Sequence, residues 1–182
     1  MSRITREWAM PSPDTFTIGP IAAFVQRWLR GVVADPFARN SRLAQHTNDL
    51  NPETTAADHM DAAEWLGALR DRRVTVDTLL FDPPYSPRQI SEAYQSVGRE
   101  VGMAGTQNAA LYKRVRDAAM QVLAPDATVL SFGWNSAGMG VKRGFEIAEI
   151  LLVAHGGAHN DTICVAERRT APDLWTERGN AA

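Results

Sequence analysis

Apolar positions along the chain follow two rhythms. Short runs rich in β-branched and apolar residues read as strands: GVVADPF (31–37), VDTLLFD (76–82), ATVLSFGW (127–134), FEIAEILLVA (145–154) and DTICVAERR (161–169). AQHTNDL (44–50) is a weaker strand, and a further short one is expected near 57–60. Spacings of three and four mark helices over 18–30, where Ile18, Ile21, Phe24, Val25 and Trp28 share a face, over 62–71, and over 108–124 up to Pro125. Strands alternating with helices predict an α/β fold: a mostly parallel sheet with helices on both faces. The glycine-rich connector HGGAHN (155–160) adds a closing antiparallel hairpin. About eight residues separate VVADPF from HTNDL, fewer than the dozen a parallel crossover usually takes, so the first crossover helix is a single turn or absent. The polar ends, 1–12 and 170–182, are expected to be loosely attached.

A chain of 182 residues with 45% hydrophobic and 22% charged positions reads as one soluble domain with a real core. Its apolar runs are too short to cross a bilayer and no signal peptide is visible, which places it in the cytoplasm. The single cysteine, Cys164, forbids an internal disulfide and reads as a buried strand residue rather than a nucleophile. His155 and His159 with Cys164 have loose metal spacing, but on a hairpin they read as exposed turn residues, so no metal is expected. A formal net charge of −2 provides no overall field for nucleic acid, and any such binding must rest on local patches.

The chemistry concentrates in Asp82, Pro83, Pro84 and Tyr85, directly after a buried strand. Proline cannot donate to a ladder, so the strand ends there, where open α/β sheets place their ligand crevice. Asp82 offers acceptor oxygens and Pro83 a carbonyl, and together they can hold both hydrogens of an NH₂ group. Tyr85 adds a flat face for stacking a heterocycle. Two acceptors on an aromatic amine favour the pyramidal nitrogen that develops as it attacks, which is transition-state stabilisation. The plainer reading of the tetrapeptide is a turn.

D-P-P-Y at this place resembles the signature of the class I S-adenosylmethionine-dependent amino-methyltransferases, above all those acting on the exocyclic amine of adenine in DNA. Other landmarks occur in the family's order: VVADPFARNS as a first-strand motif, TNDLNPE as a second-strand end, HMDAAEWL as a third motif, and the late hairpin. The resemblance implies a Rossmann-like methyltransferase sheet and S-adenosyl-L-methionine as cofactor. It places Asp35, Pro36 and Phe37 at the cofactor's methionine end, Asp49 on the ribose hydroxyls, Asp61 on the adenine amine and Asp82 beside the transferred methyl. MPSPDTFTIGPI (10–21) resembles the N-terminal cofactor motif, with Phe16, Thr17 and Ile18 near the methionine moiety; a helix start with Phe16 in the core reads equally well. Asp35 and Asp49 also fit simple capping or turn roles.

Two departures stand out. The glycines that follow D-P-F-A in the family are Arg39 and Asn40 here, where close backbone approach to a ligand favours glycine. No segment is long enough for a separate target-recognition region; residues 86–108 are the spare material, so sequence preference is relaxed or supplied by a partner, a homodimer included. Arg88, Arg99, Lys113, Arg114 and Arg116 are candidate phosphate contacts or simply a solvated helix face. Trp134 and Asn135, ending a strand on the same rim, are candidates to line the base pocket with Phe132, where core packing is the alternative. The expected partner is nucleic acid, DNA foremost, in a bacterial or phage-infected cell, and no membrane. RNA adenine methylation and a non-catalytic module that keeps the fold remain alternatives.

Overall fold

The protein is described by a computed structural model over residues 2–84, 108–157 and 159–170, with positions 88, 91, 94, 95 and 98. Its elements are β1 (Arg3–Trp8), α1 (Gly19–Trp28), β2 (Val33–Asp35), β3 (His46–Thr47), α2 (Ala62–Asp71), β4 (Val76–Phe81), α3 (Asn108–Ala119), β5 (Leu123–Gly133), β6 (Phe145–Ala154) and β7 (Thr162–Arg169). The strands form one seven-stranded sheet in the order β1-β6-β7-β5-β4-β2-β3. Pairs β1/β6, β2/β3, β2/β4 and β4/β5 are parallel, whereas β7 runs antiparallel to both β5 and β6. This is the mixed, mostly parallel α/β sheet that the apolar rhythm predicts, closed by the expected hairpin.

Alternation within the strands sorts side chains onto two cores. On one face Ile21, Phe24 and Val25 of α1, all fully buried, meet Val33, Leu80, Leu130, Phe132 and Cys164. On the other face α2 and α3 bring Trp65, Leu66, Leu69, Leu111 and Val115 onto Ala34, Leu79, Phe81 and Val129. Each fully buried aliphatic or aromatic side chain contributes roughly 1.5–3 kcal/mol. Cys164 thus lies in the core, where burial pushes its thiol pKa up, as suits an inert strand residue. Helices cover both faces, and no helix stands between Asp35 and His46.

The chain moves outward from β2 to β3 and then returns to start β4 on the other side of β2. The strand order therefore reverses between β2 and β4, and the crevice beyond their C-terminal ends falls at Asp35 and Asp82.

Three expectations change. Residues 1–12 do not form a loose end: Arg3–Trp8 is an edge strand paired with Glu149–Ala154, and Ala9 continues the bonding to the Ala154 carbonyl. It escapes the periodicity reading because an edge strand exposed on both faces needs no apolar alternation. The helix over 108–124 stops at Ala119, because Leu123 already pairs with Val76. Pro125 sits in the irregularity between the Val76 and Thr78 registers, where no ladder donor is lost. Finally, the short strand near 57–60 is an isolated bridge between Asn48 and Asp58. Asn48 takes over the missing structure: its buried amide donates to the Pro36 and Met60 carbonyls at 3.1 and 3.0 Å and accepts from the Met60 amide at 2.9 Å.

Candidate functional site

Three loops that Asn48 ties together form the floor of a cavity of about 590 Å³, within the usual range for small-ligand sites. Pro36 and Phe37 reach it from the end of β2, Asp49 and Asn51 from the end of β3, and Met60 and Asp61 from the approach to α2. Asp82, Pro83 and Pro84 enter from the end of β4. A second cavity of about 280 Å³ lies alongside, bounded by Thr15, Phe16 and Thr17 and by the turn that replaces the first crossover helix. Asp82, Phe37 and Arg39 line both.

Asp35 is fully buried at the switch point. One carboxyl oxygen accepts from the Phe37 amide at 3.1 Å, and the other, Oδ2, has no hydrogen-bond partner. Burial raises its pKa well above the ordinary carboxylate range, and the charges of Asp82 and Asp49 push it further the same way. Three carboxylates are therefore gathered where the described residues supply Asp35 Oδ2 with no counter-charge. Asp35 itself borders neither cavity. Asp49 accepts from the Arg39 and Asn51 amides at 3.0 and 2.9 Å, an Asx turn that aims its carboxylate along the cavity.

The other cofactor candidates divide. Pro36, Phe37, Phe16 and Thr17 line one or both cavities, although Phe16 also makes an edge-to-face contact with Phe132 at 5.1 Å and so serves the core as well. Ile18 turns into the core beneath α1, only 6% exposed, and borders neither cavity. Asp61 borders the cavity with both oxygens engaged. Oδ1 caps α2 through the Ala63 and Glu64 amides, and Oδ2 accepts from the Tyr94 hydroxyl and from Arg114 at 2.7 Å. Burial opposes its ionisation, but the Tyr94 hydroxyl, Arg114 and the two amides outweigh that and hold its carboxyl below the usual range. The adenine-amine role thus has no unused oxygen at Asp61, and Arg114 is an internal ion-pair partner rather than a phosphate contact.

Arg39 occupies the place of the missing glycine. It takes that backbone role itself, with φ at 49°, a left-handed conformation that costs a non-glycine residue roughly 1–2 kcal/mol. Asn40, the residue better suited to it, is not at positive φ. In return the Arg39 guanidinium donates to the Pro13 carbonyl and lies 3.7 Å from Asp14, pinning the N-terminal segment over both cavities.

Of the expected substrate residues, Tyr85 and Arg99 lie outside the described residues, and Arg88 is exposed. Trp134 and Asn135 do not reach the first cavity; they line a third, of about 620 Å³, together with Lys113 and Arg116. Phe132 is a core residue. Sequence reasoning missed Tyr112, whose hydroxyl donates to the Pro84 carbonyl at 2.9 Å and whose pKa burial pushes up to about 12. Its only sequence signal was an aromatic within the helical stripe. His155 is not the exposed turn residue expected of the hairpin. His155 is buried between the Ala9 carbonyl and the Thr162 hydroxyl, at 2.9 Å from each, and no metal-holding cluster exists among the described residues.

No family model and no curated protein matches the chain. Solved structures do resemble it. TrmN from Thermus thermophilus is 18% identical with a TM-score of 0.50, over 84% of this chain and 49% of its own. NSun6 from Pyrococcus horikoshii, solved with SFG, is 11% identical with a TM-score of 0.51, over 77% and 48%. SMU.776, described as a candidate methyltransferase and complexed with SAH, is 12% identical with a TM-score of 0.52, over 75% and 44%. The chain therefore spans about half the length of these structures, and the likeness is one of fold: a Rossmann-like, mostly parallel sheet with helices on both faces.

Proposed function

We propose that this protein is an S-adenosylmethionine-dependent methyltransferase acting on the exocyclic amine of adenine in DNA. The observation that carries the reading is the shared cavity: Asp82, Pro83 and Pro84 open into the same space as Asp49, Pro36 and Phe37. Had the Asp82–Pro84 turn been sealed inside the fold, no nucleobase could approach it. The closeness of Asp35, Asp49 and Asp82, which raises the Asp35 pKa, supports the choice of cofactor, since gathered carboxylates complement a ligand carrying a sulfonium and an ammonium. Neighbours of the same fold solved with SAH and SFG support it further.

In this reading Asp49 accepts from the ribose hydroxyls, while Phe37 and Pro36 wall the methionine end. Asp82 and the Pro83 carbonyl accept from the two amine hydrogens and turn the nitrogen lone pair toward the donor. When bound, S-adenosylmethionine supplies an electrophilic methyl group whose sulfur keeps the bonding electron pair as the new N–C bond forms. The proton released from nitrogen passes to Asp82 or to water. Holding and orienting the amine is then the protein's main contribution. Tyr112, through the Pro84 carbonyl, is a positioning residue for this turn.

The test is Asp82→Ala, assayed by radiolabelled methyl transfer to adenine-containing duplex DNA, single-stranded DNA and RNA, alongside calorimetric cofactor binding. Turnover is expected to fall by at least about a hundredfold, with cofactor affinity changed by less than about threefold. Loss of both in equal measure would make Asp82 a cofactor ligand instead. Transfer to RNA alone would replace the DNA assignment.

A further inference from the structure

We propose that the cavity between α3 and the turn following β5 holds the sugar–phosphate backbone beside the target nucleotide, so that the substrate is a polynucleotide strand rather than a free nucleotide. The inference rests on the reading of Asp82–Pro84 as the amine-holding turn. In a chain of formal net charge −2, every charged residue lining this cavity is a cation: Lys113, Arg116 and Arg143. Asp117 is the nearby counter-charge, and it is divided between Lys113 at 2.7 Å and Arg143 at 2.6 Å. Glu167 behind the cavity, its two oxygens accepting from the Met139 and Gly140 amides, is a second carboxylate within reach of Arg116 and Arg143, so the cations outnumber the carboxylates three to two.

Arg116 is held in place by aromatic rings. Its guanidinium lies over the Phe81 and Tyr112 rings, 5.5 and 5.6 Å from their centroids, and its buried Nε has no hydrogen-bond partner. Trp134, 45% exposed, stands on the same wall as Asn135. An exposed indole beside fixed cations is the pairing that single strands use, with bases stacking for about 1–3 kcal/mol each and phosphates contacting the cations.

The cavity is also in the right place. Tyr112 lines it while its hydroxyl holds the Pro84 carbonyl, so a wall one side chain thick separates it from the amine-holding turn. A strand seated over Lys113 and Arg143 would present the adjoining base to Asp82. A free nucleotide would leave this third cavity unused.

The experiment uses fluorescence anisotropy with labelled adenine-containing single strands of about twelve nucleotides, as DNA and as RNA, over a salt series. The proteins are the wild type, Lys113→Glu and Trp134→Ala, each first checked for an unchanged unfolding temperature. The proposal expects each variant to weaken strand binding about tenfold, and Lys113→Glu to flatten the salt slope by about one. It also expects wild-type methyl transfer to the strand to exceed transfer to adenosine monophosphate by at least about tenfold in kcat/KM. Wild-type affinity and salt slope retained in both variants would overturn it, as would equal transfer to strand and monophosphate. Variant-sensitive strand binding with no methyl transfer to any adenine substrate would sustain this inference while removing the catalytic reading beneath it.

Discussion

Asp35→Asn should make this protein more stable and less able to bind S-adenosylmethionine, the cofactor proposed for it. Asp35 is fully buried with Oδ1 bonded to the Phe37 amide and Oδ2 unpartnered, and it lies in the field of Asp82 and Asp49. Asparagine keeps the acceptor for Phe37 and removes the charge. The amide N–H groups of asparagine stay unpaired in the same place, so the gain comes from removing the buried charge and is about 1–3 kcal/mol at neutral pH. For a domain of this size that is a rise in unfolding temperature of about 2 to 12 °C. The pH dependence carries the sign. Burial, helped by the neighbouring carboxylates, raises the folded-state pKa, so between the ordinary value of 3.8 and the raised one the native state binds the extra proton. The stability linked to that proton is complete below the ordinary value and is lost as pH rises through the folded-state pKa. The variant should therefore match the wild type near pH 4 and pull ahead toward neutrality. Differential scanning fluorimetry across that range, with and without S-adenosylmethionine, reads both effects, and calorimetry should show at least about a tenfold weaker cofactor. A variant that is no more stable at neutral pH, or whose advantage does not grow with pH, would show that Asp35 already has an internal counter-charge.

Asp61→Ala removes the cap of α2 and strands Arg114 and Tyr94; the cap alone is worth about 1 kcal/mol, so urea unfolding should show at least that loss. Because the Asp61 carboxyl is held below its ordinary range, its contribution is present at neutral pH and lost as acid titrates it, and the deficit of the variant should shrink toward low pH. Gly138→Ala should destabilise by about 1–3 kcal/mol, since φ there is +46° and an added Cβ would lie 2.1 Å from Glu167 Oε2, itself locked to two amides; thermal unfolding checks this.

The sequence by itself determined the α/β class, the closing hairpin, the absent first crossover helix and the place of Asp82–Pro84 at the end of a buried strand, because these depend on local signals. Continuous apolar runs, helical spacing, a short connector and prolines after a strand all speak within a few residues of themselves. Edge strand β1 was illegible, since its only partner, β6, is some 146 residues away in register and its side chains face solvent. Which carboxylates are spoken for was equally hidden. Asp35, Asp49 and Asp61 look alike as letters, yet the fold leaves one oxygen of Asp35 without a partner, bends Asp49 into an Asx turn and consumes Asp61 in a cap and an ion pair with Arg114. The same holds for Trp134, which the tertiary structure assigns to a cationic cavity rather than to the first one. Burial and partners far along the chain decide how a charged group behaves, and only the assembled sheet brings those partners together.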